Sequence, residues 1–167
     1  MFSPEQLALA QRVLERCRAD KVMLATAESC TGGLIAACLT EIPGSSDVVD
    51  RGFVTYSDEA KAAALGVPAE ALQAHGAVSE PVARAMAEGA LARSRAQIAI
   101  SCTGIAGPGG GSADKPVGLV HMACAMADRA TIHWRRAYGN MGRSPIRLKT
   151  LEDALALVLR QLGEPVS

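Results

Sequence analysis

The apolar stretch from Lys21 to Ala27 stops at Glu28-Ser29-Cys30-Thr31-Gly32-Gly33, and a helical pattern resumes over Leu34 to Leu39. A short buried strand that turns straight into a helix belongs to folds in which the two kinds of element mingle. The rest of the chain agrees. Ser3 and Gln6 form a capping box with Pro4 at the first helical position, which predicts a helix to about Arg18. Pro43-Gly44-Ser45-Ser46 marks a turn. Val48 to Tyr56 reads as one or two strands broken by Asp50-Arg51-Gly52. Short helices are expected at Asp58 to Leu65 and after Pro68, and a longer one from Ser79-Glu80-Pro81 to about Arg93.

Gln97 to Cys102 reads as a strand, followed by a glycine-rich loop from Thr103 to Pro116. Val117 to Ala127 and Ala130 to Tyr138 form a hairpin turning at Asp128-Arg129, and a last helix runs from about Ser144 to Leu162. No repeat or linker interrupts the 167 residues, so the reading is one domain over 1–167. Its predicted architecture is a three-layer α/β/α sandwich with a mixed β-sheet. The apolar residues are mostly Ala, Val, Leu and Ile, and only 3% of the chain is aromatic, which favours helices packed closely on a sheet.

Basic and acidic residues balance at 17 each, which argues against nucleic acid as a partner. No apolar run approaches the roughly 20 residues that span a bilayer, and no signal peptide is expected. Five cysteines, an odd number without C-x-x-C spacing, fit buried reduced thiols in a cytoplasmic protein better than disulfides or zinc. His75, His121 and His133 follow no metal-ligand pattern, so neither a metal nor a cofactor is expected.

Four segments could carry chemistry. The strand-to-helix junction Thr26 to Gly33 offers hydroxyls and backbone amides suited to an anion or a developing oxyanion, although Ser29 or Thr31 also fits an ordinary helix cap. In Thr55-Tyr56-Ser57-Asp58-Glu59-Ala60-Lys61, Tyr56 and Lys61 could share a cleft. A surface lysine is the plainer reading, since a catalytic amine must lose its proton through burial or a nearby cation. Ser101 to Gly111 is rich in glycine directly after a strand, where open α/β sheets bind ligands, though a connector fits as well. Arg135, Arg136, Arg143 and Arg147 include a candidate phosphate fork or a solvated edge. No G-x-S-x-G elbow surrounds any serine, and no S-x-x-K follows Ser29.

Three blocks together resemble the CinA C-terminal domain family, the nicotinamide-nucleotide amidases, in order and spacing over nearly the whole chain. They are Ala27 to Gly33, Thr55 to Lys61, and Gly104 to Gly111 with Lys115-Pro116-Val117-Gly118. The resemblance implies a stand-alone hydrolase that converts nicotinamide mononucleotide and water to nicotinate mononucleotide and ammonia. By motif, Ser29 would be the nucleophile, Lys61 its general base and Tyr56 a partner in the proton relay. Thr103 would hold the carboxamide or a catalytic side chain, and Arg143 would support the site. Cys30, Thr31, Gly32 and Gly33 would supply oxyanion donors, and Gly104, Gly107 and Gly109 with an arginine would hold the ribose phosphate.

The chain departs from the family in two places. Asp58 replaces the usual asparagine, and Met141-Gly142-Arg143 replaces Gly-Asp-Arg, removing an acid that could orient the arginine. Three other readings stand beside this one: Cys30 as the nucleophile, with only one of the neighbours 29 and 30 facing the cleft; a non-catalytic nucleotide-binding or regulatory module; and a purely structural assembly unit. Pairing into a homodimer is the base-rate expectation, with no sequence feature to fix it.

Overall fold

The computed structural model describes residues 1–165. Helix α1 (Pro4–Asp20) opens on the expected box: Ser3 Oγ accepts from the Gln6 amide at 3.2 Å and Gln6 Oε1 accepts from the Ser3 amide at 3.0 Å. Then come β1 (Leu24–Glu28), α2 (Leu34–Thr40), β2 (Val49–Val54), α3 (Asp58–Leu65), α4 (Ala69–His75), α5 (Glu80–Ala92) and β3 (Ile98–Gly104). The hairpin β4 (Leu119–Met126) and β5 (Arg129–Ala137) leads to α6 (Arg143–Gln161). The five strands lie in the order β2-β1-β3-β4-β5. The first three are mutually parallel; β4 and β5 add antiparallel. The sheet is therefore mixed, as expected.

Alternation along the strands sorts residues onto two faces of different size. Leu24, Ile98, Ile100, Cys102, Val120, Met122 and Cys124 pack against residues of α1, α2 and α6. Ala25, Ala27, Ala99, Ala123 and Ala125 face the other way, toward α5. Alanines on both surfaces bring this helix close, and Ser101 Oγ donates to the Ala83 carbonyl at 2.6 Å. The layers are helices, sheet, helices.

Two expectations change. Asp50-Arg51-Gly52 does not break β2, which is one strand. The pairing slips instead, Leu24 standing opposite Val49 and Ala25 opposite Arg51, a β-bulge at Asp50. The buried Asp50 carboxylate accepts from Arg51 Nε at 2.8 Å and from Arg95 Nε at 3.0 Å. Gly52 is there for space: a Cβ would lie 2.9 Å from Thr26 Oγ1 and 3.2 Å from the Ala36 Cβ. The second change is at β3, which runs on through Thr103 and Gly104 because these pair with His121 and Val120, so the loop starts at Ile105.

β1, β2 and β3 end at the same edge, at Glu28, Val54 and Gly104. The turn 29–33, the start of α3 and the glycine loop all leave from that edge, where parallel strands commonly present a ligand site.

Candidate functional site

The residues after β1 do not cap α2 with their hydroxyls. The N-cap position is Gly33, and the wholly buried Glu28 carboxylate takes over the capping. It accepts from the amides of Gly33 (3.0 Å), Ile35 (3.1 Å) and Ala36 (2.9 Å), and from Thr31 Oγ1 at 2.6 Å. Four donors on one carboxylate compensate its burial. The Ser29 hydroxyl is thereby left free of any capping duty.

Helix α3 starts with Ser57, whose Oγ accepts from the Ala60 amide at 3.0 Å. One turn later the Lys61 side chain runs inward and is 1% exposed. Its Nζ lies 3.0 Å from Ser29 Oγ and 2.9 Å from the Thr55 carbonyl oxygen. Burial holds the Lys61 amine below its ordinary value, against the opposing pull of Asp58. In this arrangement Nζ donates to both oxygens. The surface-lysine reading is thus overturned.

The cleft around this pair has a volume of about 200 Å³. Of the residues singled out in the sequence, Ser29, Cys30, Tyr56, Lys61, Thr103, Gly104 and Arg143 line it, together with Asp58, Ala77, Val78 and Ala106. Ser29 and Cys30 both border the cleft. The Cys30 thiol is engaged with Cys102 behind it. That hydrogen bond holds Cys30 below the usual thiol value, and the wholly buried Cys102 is pushed up.

Tyr56 lines the cleft but is 59% exposed, and its hydroxyl accepts from Arg143 Nη2 at 2.7 Å. It does not join the Ser29–Lys61 hydrogen bond, so a relay through the phenol is not formed in this arrangement. Arg143 Nη1 donates to the Gly107 carbonyl at 2.9 Å. These two partners orient the guanidinium without the acid that Gly142 replaces. Thr103 Oγ1 donates to the Ala77 carbonyl at 2.9 Å, tying the segment before α5 to the end of β3.

Thr31, Gly32, Gly33, Gly107 and Gly109 are not among the lining residues. Thr31 is buried between Glu28 and Cys102, with Oγ1 3.0 Å from Cys102 Sγ. The Ser29 amide donates to the Cys102 carbonyl, the Gly32 amide to the Ser29 carbonyl and the Gly33 amide to Glu28. Among the described residues, the Cys30 and Thr31 amides have no such acceptor. Oxyanion donation by Gly32 and Gly33 is thus displaced, since both amides are spent on the turn itself.

Sequence reasoning gave no role to Glu28, although a lone acid in an apolar strand before a turn signals a buried cap. Arg147 was grouped with charged neighbours; in the fold it reaches from α6 to the Cys30 and Thr31 carbonyls, at 3.1 and 2.7 Å. Among the described residues no cluster of three or more His, Cys, Asp or Glu could hold a metal ion, and no helix is long and apolar enough to cross a membrane.

Comparison with known proteins follows the same lines. The family model of the CinA C-terminal domain matches residues 6–162. The nicotinamide-nucleotide amidohydrolase PncC of Escherichia coli strain K12 is 46% identical, over 96% of this chain and 97% of that protein. A CinA-like protein of Syntrophobacter fumaroxidans is 51% identical over 93% of this chain but 36% of its own length. The chain spans only 36% to 40% of four such curated relatives. The crystal structure of competence/damage inducible protein CihA from Agrobacterium tumefaciens superimposes with a TM-score of 0.95 at 52% identity, covering 98% of this chain and 99% of that one.

Proposed function

The chain belongs to the CinA C-terminal domain family, and from that premise we propose that it is a serine amidohydrolase deamidating nicotinamide mononucleotide. The observation that carries the reading is the buried Lys61 amine 3.0 Å from Ser29 Oγ, in a cleft. Its PncC relatives, matched over nearly their full length, are named for hydrolysis of a nicotinamide nucleotide, which supports the choice of substrate.

The chemistry runs in two halves. Neutral Lys61 takes the Ser29 proton as Oγ attacks the carboxamide carbon, and its other hydrogen bond, to Thr55, keeps the lone pair aimed. The Cys30 amide, next to the nucleophile and on the cleft, is the spare donor for the tetrahedral oxyanion. The ammonium of Lys61 then protonates the leaving nitrogen, and ammonia departs. Water, deprotonated by the same amine, cleaves the ester on Ser29 to release nicotinate mononucleotide and restore the hydroxyl. Arg143, held by Gly107 and Tyr56, supplies a fixed positive wall for the nucleotide, and Thr103 keeps the facing wall in place. All five cysteines are free thiols, which fits work in the reducing cytoplasm.

Ammonia release from nicotinamide mononucleotide by the purified protein tests the reading. The expected result is turnover in the parent and its loss in Ser29→Ala and Lys61→Ala. Tight binding of the nucleotide with no ammonia would favour a non-catalytic module instead.

A further inference from the structure

Among the described residues, Arg147 is the one arginine that grips the turn carrying the nucleophile. Nε donates to the Cys30 carbonyl at 3.1 Å and Nη2 to the Thr31 carbonyl at 2.7 Å, from a helix more than 110 residues away in sequence. The guanidinium forms no ion pair among the described residues; its fork is spent on two backbone oxygens. Gly32 between them has a φ of +59°, a conformation that suits glycine, and Arg147 Nη2 lies at ordinary contact distance from where a Cβ would stand.

A peptide unit is planar, so fixing a carbonyl fixes the amide across the bond. Holding the Cys30 carbonyl sets the Thr31 N–H on the opposite side, and holding the Thr31 carbonyl sets the Gly32 N–H, which closes the turn on the Ser29 carbonyl at 3.1 Å. The peptide joining Ser29 to Cys30 is fixed by that same closure, and with it the Cys30 N–H. These contacts determine three successive peptide planes; the Gly32 amide is used in the closure itself, and the Cys30 and Thr31 amides are left without an acceptor among the described residues. Glu28 grips the turn on its amide side and Arg147 on its carbonyl side.

We propose that Arg147 is a positioning residue for amide hydrolysis: through the closed turn it keeps the Cys30 amide preorganised as an oxyanion donor without itself touching substrate. This rests on the amidohydrolase reading of the same cleft. A lysine cannot replace it, because a single ammonium lacks the planar fork that spans two carbonyls.

The test is steady-state ammonia release from nicotinamide mononucleotide by the parent, Arg147→Lys and Arg147→Ala proteins, with thermal unfolding of each and titration of methylguanidinium into Arg147→Ala. The expected result is a kcat about 10- to 100-fold lower in Arg147→Ala, a fraction of the cost of losing an oxyanion donor outright. KM should stay within about twofold, because uniform binding is untouched. Millimolar methylguanidinium should return part of kcat. Parent-like kcat in either folded variant overturns the proposal. So does a loss that falls equally on KM, or one that methylguanidinium leaves unchanged, since a merely structural arginine predicts both. If Arg147→Ala does not fold, Arg147→Lys decides by its kcat. A parent that releases no ammonia overturns the amidohydrolase reading itself, and this inference with it.

Discussion

The Lys61 amine and the Ser29 hydroxyl meet at 3.0 Å inside the protein, with the lysine 1% exposed. The cost of burying that amine fixes both its chemistry and its effect on stability. Its pKa is lowered in the folded state from the ordinary 10.5, so between the two values the unfolded chain binds more protons than the folded one. Stability therefore rises with pH through that window and is reduced below it. Lys61→Met should lose activity by about 100- to 10,000-fold. Its thermal midpoint at neutral pH should match or exceed the parent's, as a calorimetric scan would read.

Glu28 is the cap that leaves the serine free. Glu28→Gln exchanges one acceptor oxygen for an NH₂ group facing backbone donors. Leaving buried partners unsatisfied costs about 1–3 kcal/mol each. Denaturant unfolding should show a loss of at least about 2 kcal/mol, with activity falling beyond what the unfolded fraction explains.

The close seat of α5 depends on Gly89, where a Cβ would lie 2.0 Å from the Leu65 carbonyl oxygen. Gly89→Ala must push the end of α3 away, an overpacking cost of about 1–3 kcal/mol. Because α3 carries Lys61, activity should drop along with the thermal midpoint. An unchanged midpoint would show that the helices shift without strain.

Acid should act through a histidine pair on the hairpin. His121 Nδ1 lies 2.9 Å from His133 Nε2, and the rings stack at 5.1 Å between centroids. Burial, followed by His133 and Arg135, lowers His121 from 6.5 to about 4, while Glu80 pulls the other way. The unfolded chain thus takes up the proton first, and stability falls as pH drops from about 6.5 to about 4. His121→Phe should flatten that slope in thermal midpoints recorded from pH 7 to pH 4.

Much of the architecture was readable because it is periodic. The alternation of buried strands and helices, the capping box at Ser3 and the hairpin turn near Asp128 are all local signals. Asp50-Arg51-Gly52 misled because a bulge and a close helix approach use the same residue types as a turn. Ser29, Lys61, Thr103 and Arg143 were legible through their motifs. Their partners were not: Arg143 meets Tyr56 across 87 positions, and Arg147 meets Cys30 across 117. Contacts made by folding leave no spacing in a sequence. The Gly32 and Gly33 amides are misjudged for the same reason: the first is spent on the Ser29 carbonyl and the second on the Glu28 carboxylate.

Ammonia release from nicotinamide mononucleotide by the parent, Ser29→Ala and Cys30→Ala proteins, each shown to be folded, tests the central claim most directly. The account predicts turnover in the parent and in Cys30→Ala, and none above background in Ser29→Ala. Parent-rate release from Ser29→Ala, or an active Ser29→Ala beside a dead Cys30→Ala, would contradict it.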